Sequence, residues 1–190
     1  MGWKVAIVQS AQCGSTQPKH LNQGNHGMLD VIGFIGITIA AIVVGTFAEY
    51  FVHRAMHWRL LYGEGHRWHH ESNEARTFTR DFYDYGSGAA ALGWIGFLVS
   101  STGGFAWMLG ALAYTVLSSY AHQIQHANPG LVFWMRRPVH RLHHAGAKGN
   151  YGILIDWWDR LFGTYRPIEL VYPTPTRNEK LKAYLAIPWR

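Results

Sequence analysis

The sequence predicts an all-α integral membrane protein: about three membrane helices, one span plus a hairpin, carry a cytoplasmic histidine-rich helical cap. Three observations predict it. Two stretches, 31–48 and 86–121, contain no Asp, Glu, Lys or Arg. Ten of the twelve histidines gather in four clusters that follow those stretches. Fifteen of the seventeen Lys and Arg fall on the cluster-bearing side of the resulting topology, leaving only Lys4 and Lys19 on the other. A mean hydropathy near zero would suggest a soluble chain. The apolar residues are concentrated, however, and their location decides the class.

At 190 residues the chain reads as a leader over 1–29 and a single membrane domain over 30–190. In the leader, Met1-Gly2 opens like a myristoylation site, but Ala6 stands where Ser or Thr is required. Val5–Val8 is too short for a signal-peptide core. The Gln/Asn/Gly-rich stretch 15–27 predicts poor order, with His20 and His26 solvated. Cys13 is the only cysteine, so neither an intrachain disulfide nor a thiolate metal site is expected.

The first membrane helix is expected over 31–52, long enough at roughly 1.5 Å per residue to cross a hydrocarbon layer of about 30 Å. The block 86–121 is too long for one span. A break at Ser101-Thr102-Gly103-Gly104 divides it into helices over about 87–101 and 105–121. Each reaches roughly 23–25 Å, slightly short of a full crossing. One span plus a hairpin puts all four clusters on one side, whereas a single middle span would divide them. Positive-inside bias makes that side cytoplasmic. Trp58, Tyr62, Trp94, Trp107 and Trp134 are candidate interfacial anchors. Basic blocks beside apolar spans favour a membrane surface over nucleic acid as partner. Beyond the hairpin, Pro129-Gly130 and Pro138 punctuate the chain, and the fourth cluster is expected on a short helix. Residues 151–165 should fold back under it, and the end with Pro173, Pro175 and Pro188 should cover the same face.

The clusters read His53-x3-His57, His66-x2-His69-His70, His122-x3-His126 and His140-x2-His143-His144. Spacings of three and four bring side chains onto one face of a helix. Imidazole is the commonest metal ligand, and ten exceed the needs of one tetrahedral zinc, so two metal ions are expected. Ligand type alone does not choose between Fe, Zn, Cu and Ni. Glu49 lies one turn before His53, where it could accept a proton from the second ring nitrogen of a ligand or sit as an exposed interfacial acid. Asn150 and Asp159 are candidates for supporting the ligands, and Glu71 is equally open to such a role or to a solvated one.

The run Tyr50-Phe51-Val52-His53-Arg54-Ala55-Met56-His57, with His66-Arg67-Trp68-His69-His70-Glu71-Ser72, resembles the first half of the fatty acid hydroxylase/sterol desaturase superfamily. His140-Arg141-Leu142-His143-His144, Asn150-Tyr151-Gly152 and Trp158-Asp159-Arg160-Leu161-Phe162-Gly163-Thr164-Tyr165 resemble its second half. The resemblance covers about 45–166. It implies an integral-membrane enzyme with two iron ions, zinc being possible in preparations, that uses O2 and external electrons on a lipid. Hydroxylation of a fatty acyl or sterol-like chain is the leading expectation, and desaturation or carotenoid ring hydroxylation the alternatives within the superfamily. No cytochrome-like, flavin or ferredoxin segment is present, so a ferredoxin or cytochrome b5-like donor is expected. The alternative from another class is a non-catalytic membrane subunit stabilised by metal.

Overall fold

The computed structural model describes residues 23–61, 63–73, 76–135, 140–146, 148–167 and 176–190. The leader through residue 22 with Cys13 and His20, and also Tyr62, Pro138, Pro173 and Pro175, lie outside them. The described residues form seven α-helices with no strand: α1 Gln23–His57, α2 Gly63–Ser72, α3 Phe78–Leu92, α4 Ser101–Ala127, α5 His140–His144, α6 Trp157–Leu161 and α7 Arg177–Leu185. Two units divide the chain, Met1–Gly33 and Phe34–Arg190, and all ten clustered histidines belong to the second.

α1 has 35 residues, and its segment Asp30–His57 is the one stretch among the described residues long and apolar enough to cross a membrane. Ile35, Ile39, Val43 and Phe47 form a row at helical spacing and are exposed, although Phe47 at its inner end also packs edge-on against Trp158. The opposite face meets α4 at close range. The Thr38 hydroxyl donates to the Ala106 carbonyl at 3.1 Å. A Cβ on Gly110 would stand 2.3 Å from the Thr38 carbonyl oxygen, so only glycine permits this approach.

The hairpin differs from its expected boundaries. Its arms are α3 and α4, 78–92 and 101–127 rather than 87–101 and 105–121, and the chain reverses over 93–100 through a 3-10 turn at Ile95–Leu98. Ser101-Thr102-Gly103-Gly104 is the first turn of α4. Ser100 is extended, and its hydroxyl accepts from the Gly103 N–H at 2.9 Å, which makes it an N-cap. A cluster rich in Ser and Gly therefore starts a helix where a break was expected. Gly104 is required for packing, because a Cβ there would overlap the Phe97 ring.

The apolar core is small and lies beside the lower half of α4, where Ile124, Leu131, Val132, Met135 and Ile187 are buried together. The C-terminal residues close onto it. Tyr184 donates to the Leu131 carbonyl at 2.9 Å, and the Phe78 N–H donates to the Pro188 carbonyl at 2.7 Å, joining the chain's end to the start of α3. Trp134 donates to the Leu154 carbonyl and Trp107 to the Leu92 carbonyl, so both indoles have internal partners, while Trp58 and Trp94 are exposed. Much of the remaining interior is polar, with buried Glu49, Asp81, Asp159, Asn150 and five histidines. Such groups are buried where hydrogen bonds or ions compensate them.

Candidate metal centre

α1 contributes His53 and His57, α2 His66, His69 and His70, α4 His122 and His126, and α5 His140, His143 and His144. All ten converge, in two groups of five. The first holds His53, His57, His66, His70 and His143, and the second His69, His122, His126, His140 and His144. Within each group the candidate ligand atoms lie within 4.8 Å of one another. The helical spacing makes this division. His66 and His70 are four apart and face the first group, while His69 between them faces the second. On α5, His140 and His144 face the second group and His143 the first. The groups meet where the His70 and His144 rings stack, 4.1 Å between centroids and 9° from parallel.

Hydrogen bonds set which ring nitrogen is bare. His53 Nδ1 lies 2.6 Å from the Tyr151 carbonyl and His143 Nδ1 lies 2.7 Å from the Gly149 carbonyl. A carbonyl only accepts, so each Nδ1 carries the proton and each Nε2 presents a lone pair. Those two Nε2 atoms face each other at 3.0 Å. His57 Nε2 stands 2.9 Å from both His143 Nε2 and His66 Nε2. In the second group, Nε2 atoms pair at 3.1 Å between His69 and His122, His126 and His140, and His140 and His144.

The His53 and His143 lone pairs, opposed at 3.0 Å, repel unless a cation lies between them. Burial, reinforced by neighbouring imidazoles, holds His140 and His143 well below the ordinary histidine range. The same causes push His70 down to about 4 and His144 to about 3, and depress His66 and His69 further. At neutral pH these rings are bare bases, so a metal ion rather than a proton is the cation they suit. The buried His70 Nε2, without a hydrogen-bond partner among the described residues, is a further donor of this kind. Spacing narrows the fit. With metal–nitrogen bonds of about 2.1 Å, donors at right angles stand about 3.0 Å apart and tetrahedral donors about 3.4 Å. The observed 2.9–3.1 Å suits an ion of higher coordination number than a closed tetrahedral zinc.

The loop that supplies both carbonyls is itself anchored. Gly149 has φ +135°, and a Cβ there would meet the Thr164 carbonyl oxygen at 2.2 Å, so the position requires glycine. Asn150 exchanges two hydrogen bonds with the Arg166 backbone, at 2.9 and 2.8 Å, which makes it a loop clamp. Asp159 accepts from the Tyr151 and Gly152 N–H groups at 2.8 and 2.7 Å and from the Thr164 hydroxyl at 2.7 Å. It thereby fixes the carbonyl that orients His53.

Glu49 has a different placement from the one its spacing suggests. His53 gives its proton to Tyr151, not to Glu49. Buried Glu49 accepts from the Ile153 and Leu154 N–H groups and from the Ser118 and Tyr114 hydroxyls, tying α1 to α4 and to the same loop. Glu71 pairs with Arg67 on the surface. Sequence reasoning missed Asp81, a buried carboxylate on α3 that His122 Nδ1 contacts at 2.6 Å. One signal could have found it: Asp81 shares a helix face with Phe78 and Tyr85, an acid on an otherwise apolar stripe.

A cavity of about 950 Å³ reaches both groups, bordered by His53, His66, His69, His122 and His140. From there it runs between α1 and α3, past Tyr85, Val52 and Ala48, to Gly45, Ala89 and Leu92. Along α3 it extends from Arg80 to Leu92, a length of about 18 Å at helical rise.

The family model for fatty acid hydroxylase matches residues 38–164. Methylsterol monooxygenase 1 of Danio rerio is 32% identical over 137 residues, which covers 65% of this chain and 44% of that protein. Methylsterol monooxygenase 1 of Gallus gallus is 30% identical over 123 residues, covering 61% of this chain and 41% of its own length. The chain thus spans less than half the length of these curated relatives. No solved structure matches.

Proposed function

The chain belongs to the fatty acid hydroxylase family, and from that premise we propose that it is an O2-dependent membrane oxygenase with two iron ions that hydroxylates a long apolar lipid, sterol-like or fatty acyl. The observation that carries this reading is the cavity: one continuous space of about 950 Å³ joins an apolar channel to both histidine groups. Its volume lies at the upper end of what small-molecule sites use, and a lipid-sized chain needs that room. The similarity to methylsterol monooxygenases supports the sterol-like option among apolar substrates.

The protein's residues divide the work. His53, His57, His66, His70 and His143 would hold one ion, and His69, His122, His126, His140 and His144 the other. Iron bound there would supply the redox chemistry that an unactivated alkyl C–H bond requires. Tyr151, Gly149 and Asp81 keep the Nδ1 protons of His53, His143 and His122 in place, so the Nε2 lone pairs stay aimed inward. Asp159, Asn150 and Glu49 hold the loop and helices that present those groups. The apolar walls at Ala48, Val52, Ala89 and Leu92 orient the substrate lengthwise and exclude water beside the reacting carbon.

The exposed row on α1 supports contact with lipid, since its apolar side chains are solvated by hydrocarbon at no cost and by water only at one. Substrate then enters sideways from the bilayer between α1 and α3. The clusters face the cytoplasm, where the electron donor is a separate ferredoxin or cytochrome b5-like protein. The test is a lipid-extract comparison by mass spectrometry under 18O2, between cells expressing the chain and cells expressing His143→Ala. One added labelled oxygen, absent from the variant, is the expected result. Loss of two hydrogens without label would establish desaturation instead. No difference with iron loaded and a competent donor present would favour a metal-stabilised subunit without catalysis.

A further inference from the structure

The two histidine groups differ in one charge. His53 and His143, in the first, give their Nδ1 protons to neutral backbone carbonyls. In the second, His122 Nδ1 meets the Asp81 carboxylate at 2.6 Å, with both side chains almost wholly buried. The other donor to that carboxylate is the neutral Gln123 amide, also buried. Among the described residues no Lys or Arg lies within ion-pair distance of Asp81; Arg76 and Arg80 both pair with Asp84. Buried Glu49 also lacks a cation, but four donors surround its two oxygens. Asp81 has two. A buried carboxylate so sparsely compensated is costly unless positive charge stands nearby, and an ion held by His122 Nε2 would stand across one imidazole ring from it.

We infer that Asp81 is a positioning residue that makes the two metal positions inequivalent: its carboxylate locks His122 in the Nδ1–H form and strengthens Nε2 as a donor, so the second group binds its ion more tightly. The inference rests on the reading of both groups as metal sites. Carboxylate partners of ligating histidines raise ligand basicity, and their loss typically weakens metal binding by about 10–100-fold. The backbone carbonyls of the first group polarise their imidazoles less, because they carry no net charge.

The experiment uses the full chain in detergent, stripped of metal and titrated with cobalt(II), reading calorimetric heat and the visible absorption of the bound ion. Wild type should show two steps, the tighter abolished by His140→Ala and the weaker by His143→Ala. Asp81→Asn, which keeps the shape and removes the charge, should weaken the tighter step by about 10–100-fold and leave the other within about twofold. Asp81→Glu should recover most of the loss. In a His122→Gln background, Asp81→Asn should add nothing, because the carboxylate acts through that imidazole. Helical circular dichroism establishes that each variant folds; should Asp81→Asn not fold, Asp81→Glu must still weaken the second position alone, if by less. Equal loss at both positions, or loss at neither, overturns the inference. Uptake of fewer than two ions by wild type instead overturns the two-metal reading on which it stands.

Discussion

In the first group of histidines the support comes from a loop; in the second it comes from helices. His53 and His143 are oriented by carbonyls of residues 151 and 149, on a loop with two glycines in close backbone contact and a carboxylate gathering its N–H groups. His122 is oriented by a side chain on α3, one turn from the helix's start, and α3 is in turn joined to the chain's C-terminus. The same ligand chemistry is therefore built by two routes. One depends on local backbone geometry within about twenty residues. The other depends on tertiary packing of one hairpin arm, α3, against the other, α4. Damage to either route should be confined to its own group, and that separation is open to test.

The largest effects should follow from removing ligands. His143→Ala deletes a ring that touches both His53 and His57, so the first position should lose its metal by more than about 100-fold in affinity. His140→Ala should do the same to the second, through His126 and His144. Metal analysis of the purified variants should find about one ion per chain in each, and turnover should fall to background in both. If either variant lost both ions, the two groups would be one cooperative site and the comparison would collapse.

Asp159→Ala comes next. It strips two buried N–H groups and a hydroxyl of their acceptor, a loss of about 3 kcal/mol by the usual cost of orphaned donors. A chemical or thermal melt measures that loss. Because Tyr151 then drifts, the first position should weaken more than the second. Equal weakening would mean that the loop supports the whole centre rather than one half.

Glu49→Gln should have a smaller effect, about 1–2 kcal/mol of stability, because the amide keeps an acceptor for the Ile153 and Leu154 N–H groups while the Ser118 and Tyr114 hydroxyls turn to accept. Among the described residues the Glu49 carboxylate accepts from no histidine, so both metal affinities should change little and together. A selective loss at the first position would give Glu49 the ligand-orienting role that its spacing from His53 suggests.

These contrasts follow what the sequence can and cannot encode in readable form. The ten histidines are legible because helical spacing is local, and so is α1, because an uncharged apolar run needs no partner to be recognised. The division of the rings between two groups is not legible. His66, His69 and His70 sit within five residues, and only the packing of α2 between the groups separates the middle ring from its neighbours. Asp81 belongs to no motif, and its meaning arises from a residue 41 positions away. The hairpin turn was misplaced for a related reason. Ser and Gly favour both breaks and helix starts, and the Ser100 cap with the tight seat under Phe97 decides between them.

The effect that should not discriminate between the groups is that of acid on the metal-free protein. His70 belongs to the first group and His144 to the second, their rings are stacked, and burial pushes them down to about 4 and about 3. In the unfolded chain both would titrate near 6.5. Between these values the unfolded state binds protons that the folded state refuses, so stability falls as pH drops below about 6.5 and continues to fall until the folded rings themselves protonate. Above about pH 7 both states are neutral there and the dependence should vanish. Melting midpoints of metal-free protein should therefore be flat from pH 8 to 7 and decline steadily towards pH 4. The His70→Phe and His144→Phe variants should each flatten part of that decline by a similar amount, since each removes one such ring from the shared seam. A midpoint that rises with acid would show that protons, rather than metal, already bridge the facing nitrogens, and one variant removing the whole decline would place the acid sensitivity in a single group.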